Sequence, residues 1–204
     1  MTYRVLNLYA GVGGNRKSWT DCEVTAVEYT QNIADVYQRL YPSDTVVVAD
    51  AHQYLLDHYN EFDFIWSSPP CQSHSRMIRC GKNRKPRYPD LRLYEQILFL
   101  QHNFDGSWIV ENVVPYYEPL ILAIQRGRHL FWSNFAIPEF EPPPPPKDFI
   151  NQTTVAGAEA LKDWLGIHYE GNIYYEGNHC PAQVLRNAVH PEIGRIIMEA
   201  SWNS

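Results

Sequence analysis

A cysteine that directly follows two prolines is the residue in this sequence best suited to covalent chemistry. Cys71 stands after Pro69 and Pro70, at the end of the apolar, strand-like run of residues 62–66. Proline rings fix the backbone, so they would hold such a thiol at a strand end where a substrate can reach it. Basic residues follow and are expected to favour the thiolate. The sequence therefore predicts a nucleophile; the alternative is a small buried hydrophobic residue.

A carboxyl group and two arginines follow further along the chain. Glu111 comes directly after the apolar residues 108–110. Partial desolvation at such a position raises the pKa of a carboxyl group and suits it to donate a proton. The alternative is a carboxylate that caps a nearby loop. Arg126 and Arg128 are candidates to bond an oxygen of a base or of a phosphate.

Glycines and acids at successive strand ends indicate a nucleoside site. The segment AGVGG, residues 10–14, follows the first apolar run, and its glycines let a ligand approach the backbone beside a helix N-terminus. Glu28 and Asp50 close the next two strand-like runs. An acid at the first of these positions commonly binds ribose hydroxyls, and the second could accept a hydrogen bond from an adenine amino group. Tyr29 could stack on the adenine.

The elements that must position these groups alternate between strand and helix, which predicts an α/β doubly wound sheet. Ligands of such sheets bind outside the carboxyl ends of the strands, where the candidate residues fall. The patterns predict strands over residues 3–9, 23–28, 45–49, 62–66 and 108–110, and helices over residues 15–19, 32–40, 53–59, 91–103, 154–165 and 186–200.

Composition is that of a globular protein, with 204 residues of which 45% are hydrophobic. No apolar run approaches the roughly 18 residues that span a bilayer, so we expect no membrane association. The four cysteines form no CxxC pair, which predicts a reduced, cytoplasmic location. The histidines and cysteines do not have the spacing of a metal site.

Charge is distributed unevenly along the chain. The net charge is −6, but seven of the 17 basic residues lie between Cys71 and Arg92, with Asp90 as the one acid there. A cationic segment on an acidic body indicates a local contact with a polyanion, although a solvated loop is an equal alternative.

The order of these motifs resembles that of the DNA cytosine-5 methyltransferases. The segments LYAGVGG (8–14), PPCQ (69–72) and ENV (111–113) are similar to the cofactor, nucleophile and proton-donor motifs of that family. RNAV (186–189) resembles its final turn, with arginine in place of the usual glycine and alanine in place of serine. The resemblance implies a Rossmann-like fold that binds S-adenosylmethionine as methyl donor.

The resemblance also implies a role for each matched residue. Cys71, Glu111 and Arg128 would be catalytic. The family's Gln-x-Arg-x-Arg motif is imperfect, since Gly127 and His129 follow Gln125 at the two arginine positions, so Arg126 is the alternative to Arg128. Cofactor contacts are expected from Tyr9, Ala10, Gly11, Gly13, Gly14, Glu28, Tyr29, Asp50, Ala51, Pro70, Asn187, Ala188 and Val189. Nucleic-acid contacts are expected from Gln72, Ser75, Arg76, Arg79, Lys82, Arg84 and Arg126.

The region between the arginine motif and the final turn is short for this family. We expect a catalytic domain of residues 1–133 and 184–204 and a reduced, irregular target-recognition region of residues 134–183. That region holds seven acids against two lysines, a poor surface for phosphates. Recognition would then rest on few contacts, on a protein partner or on a second copy of the chain. Compact forms of this kind are similar to those of bacteriophages.

The chemistry implied by the resemblance is methylation of carbon 5 of cytosine, most naturally in double-stranded DNA. The target base would be flipped out of the duplex, and the loop of residues 73–92 would close over it. Alternatives are the same reaction on single-stranded DNA, on RNA or on free cytosine nucleotides. A non-catalytic nucleic-acid-binding subunit is the alternative from another class.

Overall fold

Strands alternate with helices in the order that the sequence predicts. The computed structural model describes residues 2–80, 87–149, 153–175 and 177–202. The strands of the described part are β1 (Tyr3–Leu8), β2 (Cys22–Glu28), β3 (Thr45–Val48), β4 (Phe64–Ser67), β5 (Ser107–Val113), β6 (Ile124–Arg126) and β7 (His129–Ser133). The helices are α1 (Gln31–Leu40), α2 (Ala51–His58), α3 (Arg92–Asn103), α4 (Val155–Leu165), α5 (Gln183–Asn187) and α6 (Pro191–Trp202). Short 3-10 turns cover Asn15–Ser18, Tyr59–Glu61 and Arg76–Arg79.

The strands form one sheet in the order β3-β2-β1-β4-β5-β7-β6. The first five in this order pair in parallel, whereas β7 is antiparallel to β5 and to β6. The chain runs outward from β1 to β3 and then returns to β4 on the other side of β1. This change of direction opens a crevice at the carboxyl ends of β1 and β4. The predicted doubly wound α/β fold is confirmed.

Both faces of the sheet are covered, which explains why its central strands are apolar throughout. On one face of the sheet, the side chains of Leu6, Ile65 and Val110 pack against α2 and α3. On the opposite face, the side chains of Val5, Phe64 and Ile109 pack against α6. Alternate residues of a strand point to opposite faces, so this division follows from the sequence. Two buried faces fix the strands and therefore the groups at their ends.

The prediction of one helix over residues 186–200 is wrong. The structure has two helices there, α5 and α6, and Ala188 and Val189 lie between them in an extended turn. Pro191 begins α6, because proline is accepted in the first turn of a helix but lacks the N–H that the interior needs. Strands β6 and β7 were not predicted either, and β5 extends past the predicted end to include Glu111.

Residues 134–183 share a hydrophobic core with the first part of the chain. Leu161 and Leu165 of α4 are buried in one cluster with Val12, Ile33 and Val36 of the glycine turn and α1. The segment therefore packs on α1 and the glycine turn through apolar contacts. The domain boundaries at 134 and 183 stay a prediction. In the described part of the chain, no helix is both long and apolar enough to cross a membrane.

A buried ion pair joins the 3-10 turn between β1 and β2 to the loop between α1 and β3. Nε of Arg16 lies 2.8 Å from Oδ2 of Asp44, and the Tyr37 hydroxyl donates to the same carboxylate at 2.9 Å. Removing one partner of a buried pair leaves an uncompensated charge, so we expect Asp44→Ala to lower the free energy of unfolding by about 3–5 kcal/mol. Denaturant unfolding measures it. The control is Glu199→Ala at an exposed pair, with an expected effect within about 0.5 kcal/mol. Equal effects would contradict a stabilising role for Asp44.

Candidate active site

A cavity of about 700 Å³ opens at the carboxyl ends of the central strands. The three residues predicted to be catalytic, Cys71, Glu111 and Arg128, all line it. The cavity is also lined by most residues predicted to contact the cofactor, namely Tyr9, Ala10, Gly11, Gly14, Glu28, Tyr29, Asp50, Ala51, Pro70, Asn187, Ala188 and Val189. Residues from both ends of the sequence thus meet on one surface.

The glycine turn after β1 is held by the carboxylate that ends β2. The Gly11 N–H donates to Oε2 of Glu28 at 3.0 Å, and the Thr30 N–H donates to Oε1 at 2.9 Å. Burial raises the pKa of this carboxyl group. Gly11 has a φ of +55°, and the position that a Cβ would take has no atom within 4 Å. The turn therefore leaves open space beside the buried carboxylate.

Two glycines of the turn serve packing in different ways. A side chain on Gly14 would collide with the Val189 carbonyl, so this glycine lets the C-terminal turn reach the cavity. Gly13 does not line the cavity. Gly13 has a φ of +72° and faces the rings of Tyr37 and Tyr41, which leave no room for a Cβ. Its contact with the cofactor stays a prediction.

Asp50 is partly engaged with the protein itself. Its Oδ1 accepts the N–H groups of His52 and Gln53 at 2.9 and 3.2 Å and so caps α2. Its Oδ2 lies 3.7 Å from Nη1 of Arg92, the residue that begins α3. Tyr29 is 70% exposed at the rim of the cavity, where its ring is free to contact a planar ligand.

The thiol of Cys71 is protonated near neutral pH, which corrects the expectation from the sequence. Burial and the nearby carboxylate of Glu111 raise the pKa of Cys71 to about 11, and Arg128 opposes them. The basic residues that follow Cys71 in sequence do not outweigh these effects. The thiolate must therefore form within the site, when a ligand or a proton changes the charge around Cys71.

Glu111 is buried within β5, with a partner on β7. Nδ1 of His129 lies within hydrogen-bonding distance of Oε1 of Glu111, and both residues are less than 7% exposed. The neighbouring Asn112 amide donates to the Pro69 carbonyl at 2.9 Å. That bond ties the strand that carries Glu111 to the Pro-Pro segment that carries Cys71.

The two candidate arginines point to different places. Arg128 lines the cavity, donates to the Arg186 carbonyl at 3.3 Å and lies 4.4 Å from the centre of the Phe149 ring. Burial lowers the pKa of Arg128. Arg126 does not line the cavity; it donates to the carbonyls of Ile137 and Pro138. Of the two, Arg128 is therefore the arginine at the cavity, whereas the nucleic-acid contact of Arg126 stays a prediction.

The loop after Cys71 is only partly directed to the cavity. Gln72 and Ser75 line it, as do Met77 and Ile78, whereas Arg76 and Arg79 do not. Arg76 donates to the Pro115 carbonyl at 3.3 Å.

Arg79 of the same loop lies over the Tyr116 ring at 4.5 Å. The base of the loop is tied where the Asp90 N–H donates to the Ser73 hydroxyl at 2.9 Å. The predicted contacts Lys82 and Arg84 lie outside the described residues.

Several cavity residues were not found by sequence reasoning. Phe149 and Tyr175 reach the cavity from the region of residues 134–183, and His129 faces it from β7. The Tyr175 hydroxyl is hydrogen-bonded to the side chain of Asn187, and burial raises the pKa of Tyr175. Of these three residues, only His129 could have been found from the sequence, because it stands at an arginine position of the imperfect motif. Among the described residues, no group of three or more His, Cys, Asp or Glu side chains could hold a metal ion.

One protein family and several solved structures are similar to this chain. A family model described as C-5 cytosine-specific DNA methylase matches residues 3–114. A search of curated proteins finds no match. Similar solved structures include a mutant of DNMT2 from Spodoptera frugiperda, 26% identical with a TM-score of 0.40, where the match covers 54% of this chain and 35% of that one.

Two further structures are similar at lower identity. A protein described as a DNA modification methyltransferase encoded within a prophage (E. coli) is 22% identical, with a TM-score of 0.38 and coverage of 57% of this chain and 33% of that one. A SAM-dependent methyltransferase from Agrobacterium tumefaciens is 14% identical, with a TM-score of 0.41 and coverage of 57% and 40%. The match to the DNMT2 structure covers about a third of the DNMT2 chain.

Proposed function

The chain belongs to the C-5 cytosine-specific DNA methylase family, and from that premise we propose that it transfers a methyl group from S-adenosylmethionine to carbon 5 of cytosine in DNA. The observation that carries the proposal is the meeting of Cys71, Glu111 and Arg128 in one cavity with the glycine turn and Glu28. A thiol, a carboxyl group and a cation around one space suit addition to an electron-poor ring followed by proton transfer.

The residues present fit S-adenosylmethionine on the β1–β2 side of the cavity. The open space beside Gly11 and the buried carboxylate of Glu28 would hold the ribose, whose hydroxyls can donate to the carboxylate oxygens. Tyr29 and Asp50 at the rim would receive the adenine. When bound, S-adenosylmethionine supplies an electrophilic methyl group.

Cys71 would make cytosine reactive by adding to ring carbon 6. Carbon 5 of cytosine is too weak a nucleophile to take a methyl group unaided, and addition at carbon 6 turns the ring into an enamine. Glu111 would bond ring nitrogen 3 and deliver the proton that this change requires. Arg128 would contact the base and oppose the negative charge near the thiol, since it favours the thiolate of Cys71.

The target base would be flipped out of the duplex to enter the cavity that Cys71 lines, because the reacting atoms of a base are not accessible within the helix stack. We propose that the loop of residues 73–92 covers the flipped base, with Gln72 and Ser75 already on the cavity wall. Arg76 and Arg79 are exposed on this loop and would reach DNA phosphates if they leave their present contacts.

We propose that residues 134–183 are a reduced target-recognition region within the catalytic body of residues 1–133 and 184–204. Phe149 and Tyr175 bring this region to the cavity wall. Its acidic composition argues that few of its residues contact phosphates, so a partner or a second copy would complete recognition.

The direct test of the proposed function is transfer of labelled methyl from S-adenosylmethionine to cytosine-containing duplex DNA, with matched single-stranded DNA and RNA in parallel. Incorporation as 5-methylcytosine in duplex DNA is the expected result. Label in RNA alone would replace the proposed substrate, and label in no nucleic acid despite bound cofactor would contradict the activity of the isolated chain.

Replacing Glu28 tests the cofactor side independently. Glu28→Gln keeps the size but loses the charge and one acceptor, so we expect affinity for S-adenosylmethionine to fall by about tenfold or more, the loss of one charge-assisted hydrogen bond. Isothermal titration calorimetry measures it. Glu170→Gln is the matched control at an exposed acid in the described part, with no change expected. Unchanged affinity of Glu28→Gln would contradict ribose binding at this residue.

A further inference from the structure

His129 is the buried titratable group in the cavity to which the proposed mechanism gives no role. It is 4% exposed, lines the cavity and contacts Glu111 through Nδ1. The contact crosses the antiparallel pair β5–β7, in which His129 is opposite Val113, two residues beyond Glu111. The imidazole ring stacks on Phe131, with ring centres 6.0 Å apart and planes inclined by 22°. Packing and strand pairing thus fix this imidazole against the carboxyl group.

The surroundings of the pair show why a partner is needed. Cys71 lies in the Pro-Pro segment after β4, and Arg128 directly precedes His129; each interacts electrostatically with Glu111. The cavity wall also carries the titratable or charged groups Tyr9, Glu28, Tyr29, Asp50, His74, Asp90, Arg92, Tyr175 and Arg186. A carboxyl group beside a fixed arginine tends to lose its proton, which is the state that cannot protonate a base.

We propose that His129 is a positioning residue that keeps a proton on Glu111: the imidazole and the carboxyl group hold one proton as a pair, and the pair supplies the proton that ring nitrogen 3 of cytosine accepts. This inference rests on the proposed function. Two groups in such contact titrate together, and their shared proton belongs to the pair more than to either residue. A neutral imidazole beside a carboxylic acid and an imidazolium beside a carboxylate then deliver the same proton.

Over the whole reaction, the one proton released is the proton that leaves carbon 5. The Cys71 thiol gives its proton to water as Sγ forms a bond to ring carbon 6. The π electrons of the C5=C6 double bond then move to C4–C5, and those of the C4=N3 double bond move to N3, which takes the proton from the pair. After carbon 5 has gained the methyl group and its own proton leaves to water, the C5=C6 double bond re-forms, the Sγ–C6 bond breaks, and the thiolate regains a proton from water. The proton on N3 then returns to Glu111 and His129, which are ready for the next cycle.

The matched variant is His129→Asn, because the asparagine amide nitrogen can take the place of Nδ1 and donate to Glu111 without titrating. If His129 held only the orientation of Glu111, this variant would behave like the wild type at every pH. If the pair holds the proton, the carboxyl group of His129→Asn has no second titratable group with which to share it, so the rate of the variant depends on pH differently from that of the wild type.

The experiment measures single-turnover methylation of duplex DNA by the wild type, His129→Asn and His129→Gln from about pH 5.5 to about pH 9, together with cofactor affinity and thermal unfolding. We expect the rate of each variant, divided by that of the wild type, to fall as the pH rises. Near pH 8 this ratio should be about a tenth or less, which is a modest part of the rate increase that general acid catalysis provides. His168→Asn, at a side chain that is 64% exposed, is the control and should track the wild type.

The possible outcomes separate the inference from the function. A ratio that does not change with pH, at any level of activity and in either folded variant, overturns the role of His129 and leaves the proposed function intact. A wild type that methylates nothing overturns the proposed function and, with it, this inference. Loss of folding in both variants would also overturn the proposal, because a replaceable proton-holding residue must leave the β5–β7 pairing intact.

Discussion

Replacing Cys71 with serine is expected to lower methyl transfer by on the order of 10⁴-fold or more, as the loss of a catalytic nucleophile does. The serine hydroxyl has nearly the shape of the thiol but a far higher pKa, so it cannot add to carbon 6 at a useful rate. Affinity for S-adenosylmethionine should be unchanged, because the substitution leaves intact the glycine turn and Glu28, which would hold the cofactor. Single-turnover methylation and calorimetry measure the two effects.

The matched control is Cys80→Ser, at an exposed cysteine that does not line the cavity. It should methylate DNA at the wild-type rate. Full activity in Cys71→Ser would contradict covalent catalysis, and equal losses in both variants would point to damage to the loop of residues 73–92.

Replacing Glu111 with glutamine is expected to have opposite effects on two measurements. Methyl transfer should fall by about 10²–10⁴-fold, because the amide cannot give a proton to ring nitrogen 3. Alkylation of Cys71 by iodoacetamide should become faster at about pH 8–9, because the charge of Glu111 contributes to the raised pKa of the thiol.

The expected increase in alkylation follows from the raised pKa of the Cys71 thiol. Burial and Glu111 hold the pKa of Cys71 at about 11, above the usual value, so the wild-type thiol should react slowly until the pH approaches that value. Removing the negative charge lowers the pKa and increases the thiolate fraction at a given pH. Peptide mapping by mass spectrometry measures alkylation at each cysteine, and Glu118→Gln is the control at an exposed acid. Slower or unchanged alkylation in Glu111→Gln would contradict electrostatic coupling between the two residues.

The strand ends were predictable because parallel strands bring their carboxyl ends to one edge of a sheet. Apolar runs marked β1 to β5, and the motifs that follow them had to meet near the crevice, as Gly11, Glu28 and Cys71 do. Side-chain direction was less predictable. A turn at Gly127, with a φ of +56°, separates Arg126 from Arg128, and only the folded hairpin decides which one faces the cavity.

Properties that depend on burial and on distant contacts could not be predicted from local sequence. The basic residues after Cys71 suggested a thiolate, but desolvation dominates in the folded chain and keeps the proton on sulfur. Phe149 and Tyr175 reach the cavity because the region that carries them packs on α1, which no local pattern indicates. The contact of His129 with Glu111 depends on the unpredicted strand β7.

The measurement that tests the central claim most directly is covalent trapping on duplex DNA that carries 5-fluorocytosine, in the presence of S-adenosylmethionine. Fluorine at carbon 5 cannot leave as a proton does, so the enzyme that has added to the base stays attached to it after methyl transfer. We expect an intact complex whose mass is that of the protein plus the DNA plus one methyl group, with the crosslink mapped to Cys71. Methylated product without a covalent complex, or a crosslink at another residue, would contradict it.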